Sequence, residues 1–312
     1  MKLKQILLGL ISLLAFVSYS NEQAPSKYKT KYILILIMDG PRWSETWGDS
    51  THQYIPRMAN DMAPHGIIST GFRNNGPTYT NAGHVAITTG FYEKIKNNGL
   101  EFPKHPSIFQ YWRKQTGKAQ TAAWVITSKD KLGILSDCKD KDWKGKYRPT
   151  PDCGLNGLYT TYRSDQTTYE HTIAALETAH PELVLVNFQH PDSWGHANNW
   201  EKYLATTKVS DELIYQIFEY VRTNEFYKDQ TTIFVTNDHG RHLDGHKDGF
   251  VSHGDNCEGC RRINFFAYGP DFKKNVIIDT PGDLIDIPVT IGEMMGFQIE
   301  GAKGRVMTEL FN

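Results

Sequence analysis

Residues 32–40 read YILILIMDG, seven apolar or aromatic residues in unbroken succession followed by Asp39 and Gly40. A run with no polar alternation has no solvent face, so as a strand it must be covered on both sides. That requirement demands a sheet sandwiched between helices. The rest of the chain supplies the parts in alternation. Strand-like runs span 66–72, 120–127, 182–190, 231–236 and 262–270, and helix-like runs span 54–63, 107–117, 167–181, 200–223 and 282–297. Ser107 stands as an N-cap and Gly117 as a stop for one of these helices. The alternation predicts an α/β fold with a mainly parallel central sheet, helices on both faces and small lid or loop insertions. The 312 residues, 39% hydrophobic and 22% charged, suit one such domain over 21–312.

The start of the chain differs in character. Lys2 and Lys4 precede an apolar run from Ile6 to Val17, and Ser18-Tyr19-Ser20 offers a small-x-small cleavage site. This pattern predicts a secretory signal peptide over residues 1–20, too short to serve comfortably as a membrane span. The mature protein is therefore expected to be secreted or periplasmic, with no membrane anchor after cleavage. Its net charge of -1 becomes -3 without the two leader lysines, which argues against a polyanion surface and against nucleic-acid binding. In an oxidising compartment the four cysteines are expected to pair as Cys138–Cys153 and Cys257–Cys260.

In parallel α/β sheets, ligands gather beyond the carboxyl ends of the strands. Three of the strand-like runs lead there into metal-competent residues: Asp39 after the first, Asp192 and His196 in QHPDSWGH, and Asp238 and His239 in TNDHG, with His253 following in SHGD. Six of the twelve histidines fall between His190 and His253. Each residue alone has an ordinary reading, since Asp-Gly after a strand is usually a turn. Together they form a carboxylate–imidazole mixture suited to Zn²⁺, with Mn²⁺ or Mg²⁺ as alternatives, and three Asp with three His are enough for two divalent ions. His242 and His246, in a glycine- and charge-rich loop, read as solvated polar residues.

A hydroxyl completes the set. Thr80 stands at the start of a helix-like stretch running to Thr89, where free backbone N–H groups favour an anion. Its ordinary reading is an N-cap.

With these residues in view, the chain resembles the alkaline phosphatase superfamily, nearest its nucleotide pyrophosphatase/phosphodiesterase branch. The likeness extends from ILILIMDG to IDIPVTIGEMMGF. The family's threonine nucleophile precedes a histidine by four residues and a glycine by ten, a spacing reproduced by Thr80, His84 and Gly90. Its remaining motifs are matched by Asp39, by Asp192 and His196, by Asp238-His239-Gly240 and by His253-Gly254. The resemblance implies that Asp39, Thr80, Asp238 and His239 surround one ion and that Asp192, His196 and His253 surround the other. It further implies hydrolysis of a small phosphate ester, such as a nucleotide, through a phosphothreonine on Thr80. A downstream asparagine of the branch, which holds phosphoryl oxygens, is matched nearest by Asn98, about three residues early.

Rival readings divide by chemistry. A phosphomonoesterase would use the same site. A sulfatase needs a modified Cys or Ser followed by Arg, and the Thr80 segment has neither. Phosphomutases share the T-x-x-G-H spelling but act on cytoplasmic sugar phosphates, and membrane phosphoethanolamine transferases need several membrane spans. From another class, an envelope protein could bind metal or glycan without turnover.

Overall fold

The computed structural model describes residues 27–312, so the expected leader lies outside the described residues. Its axis is β1 (Tyr32–Met38), flanked by β6 (Leu183–Phe188) and β7 (Thr231–Thr236), both parallel to it. Outside β6 come β4 (Ala123–Thr127) and then β5 (Thr150–Cys153), again parallel. Beyond β7 lie β8 (Phe265–Tyr268), β2 (Ile67–Ser69) and β9 (Val276–Ile278), giving an eight-stranded sheet in the order β5-β4-β6-β1-β7-β8-β2-β9. Only β8 runs against the others: it pairs antiparallel with both β7 and β2. Phe72–Arg73 (β3) and Gly282–Asp283 (β10) form a separate two-stranded ribbon.

The unbroken apolar run behaves as its composition requires. Ile33, Ile35 and Ile37 point to one face and pack with Val85 and Ile87 of α1 (Thr80–Thr89), Ile108 and Phe109 of α2 (Ile108–Thr116), and Ile287 and Ile291 of α7 (Asp286–Met295). Leu34, Leu36 and Met38 point to the other, against Leu176 of α3 (Asp165–Thr178) and Leu213, Ile217 and Val221 of α5 (Trp200–Thr223). Burying each such side chain contributes about 1.5–3 kcal/mol, so the two layers fix the register of β1. Two short helices, α4 (His190–His196) and α6 (Glu258–Arg261), sit in the connections after β6 and before β8.

Local signals act as read at several points. Ser107 and Gln110 form a reciprocal capping box at α2, and Gly117 closes that helix at φ +69°. Elsewhere tertiary context prevails. Residues 54–63, expected as a helix, make a π turn (Met58–Met62) that runs into a 3-10 turn (Ala63–His65), where Pro64 lacks a donor. The single strand expected over 66–72 ends at Ser69, and β3 starts only at Phe72. β5 contains Pro151 and gave no strand signal; it is tolerated because β5 is an edge strand.

The cysteine expectation is corrected. No disulfide joins the four, which stand as thiols. The Cys153 Sγ–H is buried against the Val125 carbonyl at 3.5 Å, and the Cys257 sulfur accepts the Cys260 backbone N–H at 3.4 Å. Among the described residues, no helix is long and apolar enough to cross a membrane.

Candidate active site at the carboxyl ends of the sheet

Asp39 follows β1, Asp238 and His239 follow β7, and Asp192 lies on α4 just after β6, so three adjacent parallel strands deliver them to one rim. Asp192 and His196 are one helical turn apart, which brings His196 Nε2 to 3.4 Å from Asp192 Oδ1. His253 arrives from the loop before α6 and stacks its ring on that of His239 at 3.6 Å between centroids. The predicted residues therefore converge in two overlapping sets. Asp39, Asp238 and His239 form one, Asp192, His239 and His253 the other, and within each set the ligand atoms lie within 4.8 Å of one another.

Their hydrogen bonds aim lone pairs into the gap. His239 Nδ1–H donates to the Gly240 carbonyl at 2.9 Å and His253 Nδ1–H to the Thr78 carbonyl at 2.7 Å, which leaves each Nε2 as an acceptor. Burial drives the His239 pKa down to about 4 and outweighs the raising effect of Asp192 and Asp39. Burial and the neighbouring His239 hold His253 well below the usual range, and burial lowers His196 as well. Neutral imidazoles are the form that binds metal.

Thr80 opens α1, and its ordinary reading as an N-cap is not the one realised. The cap residue is Tyr79, which makes no side-chain cap bond, and the Thr80 hydroxyl faces His239 Nε2 at 3.4 Å and Lys129 Nζ at 3.5 Å. Gly83 is the reason α1 can come so close. A Cβ there would fall 2.9 Å from Asp238 Cβ and closer still to the Asp238 carbonyl oxygen. His84 donates from Nδ1 to the Thr80 carbonyl (2.8 Å) and accepts at Nε2 from Asn187 (3.1 Å), and the same Asn187 amide donates to Asp39 Oδ2 (3.0 Å).

Two groups on the rim escaped the sequence reading. Lys129, two residues past the end of β4, is 1% exposed and spans both sets, with Nζ 2.6 Å from Asp192 Oδ2 and 2.9 Å from Asp39 Oδ1. Arg241, fully buried, pairs with Asp192 Oδ1. Burial works to lower the Lys129 pKa, but Asp192, Asp39 and Asp238 overcome it and raise it. Although burial favours its neutral form, Lys129 and Arg241 hold Asp192 well below the usual carboxylate range. A polar residue inside the apolar run at Asn187 and a lysine just past a strand end were the available signals.

Asn98 lies apart. It is exposed, and its carboxamide oxygen accepts from Leu100 N–H at 3.0 Å within its own turn. Its neighbour Asn97 reaches α1 instead, accepting the Asn81 N–H at 2.9 Å. Clefts of about 620 and 480 Å³ open elsewhere, around Thr30, Glu182 and Glu293 and around Val289 and Phe297. Chemistry rather than volume marks the site.

Metal ions fit these residues. Three buried carboxylates face only two fixed cations, and Asp238 Oδ2 is buried with no hydrogen-bond partner. An unpaired buried carboxylate oxygen costs several kcal/mol unless a cation meets it.

Comparison with known proteins bears on the family and the fold. The family model of the Metalloenzyme superfamily matches residues 71–299. A curated relative, GPI ethanolamine phosphate transferase 1 of Candida glabrata, is 23% identical over 292 residues, covering 80% of this chain and 28% of its own length. The chain thus spans little more than a quarter of that relative. Among solved structures, an alkaline phosphatase superfamily protein from Vibrio parahaemolyticus superposes with TM-score 0.65 at 16% identity, covering 92% of this chain and 72% of the other. Murine ectonucleotide pyrophosphatase/phosphodiesterase 5 gives TM-score 0.62 at 15% identity, covering 90% and 100%. At such identities the superpositions speak for the fold alone, while the family model covers most of the chain. The chain belongs to the Metalloenzyme superfamily, the alkaline-phosphatase-like group of metal-dependent phosphoryl and sulfuryl hydrolases and transferases.

Proposed function

We propose that this chain is a phosphoric ester hydrolase of the phosphodiesterase type, acting on a small phosphate ester such as a nucleotide through a phosphothreonine at Thr80. One observation carries the reading: the Thr80 hydroxyl, free of any capping bond, stands at the head of α1 beside buried carboxylates and neutral imidazoles. Asp39, Asp238, His239 and Thr80 would hold one divalent ion, and Asp192, His196 and His253 the other. Zinc suits this donor set first, then Mn²⁺ or Mg²⁺. When bound, the ions would supply the positive charge that polarises the phosphoryl oxygens and eases ionisation of the hydroxyl.

The chain's own groups do the rest. The head of α1 presents backbone N–H groups to the phosphoryl oxygens, and the Lys129 ammonium, 3.5 Å from Thr80 Oγ, adds fixed charge where negative charge grows. Thr80 Oγ bonds to phosphorus as the P–O bond to the departing alcohol breaks, and that alcohol leaves with the electron pair and takes a proton. Water then attacks the phosphothreonine, releases the phosphomonoester and returns the hydroxyl. The basic-apolar leader supports an exported enzyme, and sequencing the mature protein from Asn21 would test this.

A second reading, transfer of the phosphoryl group to another alcohol, draws on the transferase name of the curated relative. Both readings share the Thr80 intermediate. The test offers p-nitrophenyl phosphate, bis-p-nitrophenyl phosphate and p-nitrophenyl sulfate with Zn²⁺ or Mn²⁺. Diester cleavage supports the proposal, preferred sulfate cleavage overturns it, and inactivity on all three favours a binding protein.

A further inference from the structure

Outside the rim, one more cluster among the described residues has the composition of a metal site. His242, Asp255, Cys257 and Cys260 bring a ring nitrogen, a carboxylate oxygen and two sulfurs within 4.8 Å of one another. His242 is not the solvated loop residue its sequence context implied, since it is 2% exposed. Its Nδ1–H donates to Asp248 Oδ1 at 2.9 Å, the carboxylate–imidazole pairing that orients a metal-binding histidine. That bond leaves Nε2 as a lone pair, and Nε2 is buried with no hydrogen-bond partner. The group it faces is another acceptor, Asp255 Oδ2 at 3.3 Å.

The thiols complete the pattern. Cys257 is the N-cap of α6 and its sulfur accepts the Cys260 N–H, so both sulfurs of the C-x-x-C lie on one side of a tight knuckle. Asp255 Oδ1 accepts the Cys257 N–H at 2.9 Å, which ties the carboxylate to the same turn. His246 and Lys247, both exposed, contact Asp255 Oδ2 from outside at 2.9 and 2.7 Å. Tetrahedral zinc with bonds of about 2.0–2.3 Å needs donor atoms about 3–4 Å apart, reachable here by small side-chain rotations. Two sulfurs, one nitrogen and one oxygen form a softer donor set than the rim and favour Zn²⁺.

We propose that His242, Asp255, Cys257 and Cys260 bind a structural zinc ion that clasps the loop between β7 and β8. Binding releases the two thiol protons to solvent. The clasp stands behind the catalytic rim rather than in it. Gly240 N–H donates to the Cys260 carbonyl at 2.8 Å, and His242 N–H to the Ser252 carbonyl at 3.1 Å. Thr78 Oγ–H donates to the Asp255 carbonyl at 2.8 Å. Closing the knuckle on His242 therefore fixes the spacing between Asp238-His239 and His253.

The test uses the full chain, loaded with Zn²⁺ or with Co²⁺. The expected result is a thiolate-to-cobalt charge-transfer band in the wild-type protein that disappears in Cys257→Ser/Cys260→Ser and survives in Thr80→Ala. Zinc content should fall by one ion per chain in the double variant, and Cys257 and Cys260 should react with a thiol reagent only after chelation. If that variant fails to fold, the wild-type cobalt spectrum and His242→Gln, which keeps both thiols, still decide. A Cys257–Cys260 disulfide in the isolated protein, or a cobalt spectrum without thiolate character, overturns the proposal. Rim activity can fail separately, since these readouts need no substrate.

Discussion

Gly83 lies against Asp238 so closely that an added Cβ would sit 2.9 Å from the aspartate's own Cβ and inside contact distance of its carbonyl oxygen. That approach sets the distance between the head of α1 and the end of β7, and thus between Thr80 and His239. Gly83→Ala should push α1 outward. The expected outcome is a stability loss of about 1–3 kcal/mol in urea unfolding, with turnover reduced far more than the unfolding explains. Activity at wild-type level would show that the gap tolerates movement.

Lys129 bridges Asp39 and Asp192 from within the core, at 2.9 and 2.6 Å. Lys129→Met keeps the volume and removes the charge. Because an ammonium and a metal ion compete for the same carboxylates, divalent-metal affinity should stay level or rise in this variant. Turnover should nevertheless fall by about 10²–10³, the usual cost of removing one charge-stabilising donor. Isothermal titration with Zn²⁺ beside kinetics checks both halves.

Asn97 and Asn98 separate cleanly. Asn97 accepts the Asn81 N–H at the head of α1, whereas Asn98 serves only its own exposed turn. Asn97→Ala is expected to cost about 1 kcal/mol of stability and to weaken activity, and Asn98→Ala to change activity less than twofold. Parallel unfolding and rate measurements distinguish them.

The metal-free protein should weaken in mild acid. His239 has its pKa depressed to about 4 by burial, against an unfolded value near 6.5. The unfolded chain therefore takes up a proton first, and folded stability is lost as pH falls from about 6.5 through about 4. The total from this group is on the order of 3 kcal/mol. Urea midpoints of chelated protein across that range check the sign; a midpoint that rises toward pH 4 contradicts it.

The sheet and the convergence of Asp39, Asp192, Asp238 and their histidines were legible because both follow from strand ends. An unbroken apolar run must be doubly covered, and polar residues after parallel strands must share an edge. Other features left little local trace. Lys129 follows a strand like any loop lysine, and only the placement of β4 beside β6 turns it toward Asp192. The antiparallel β8 carries the same apolar pattern as a parallel strand, so direction could not be read from it. His242 sits among glycines and charges, and its burial comes from the loop folding back on α6. Nothing in the sequence separates Asn97 from Asn98, yet Asn97 accepts the Asn81 N–H at the head of α1 while Asn98 accepts from Leu100 in its own turn.

The central claim is that Thr80 is the nucleophile of a metal-loaded rim. Its most direct test is the steady-state turnover of Thr80→Ala on the best substrate of the panel, with rim metal content measured on the same sample. Retained metal with turnover reduced to background is the expected result, and near-normal turnover in that variant would contradict a nucleophilic Thr80.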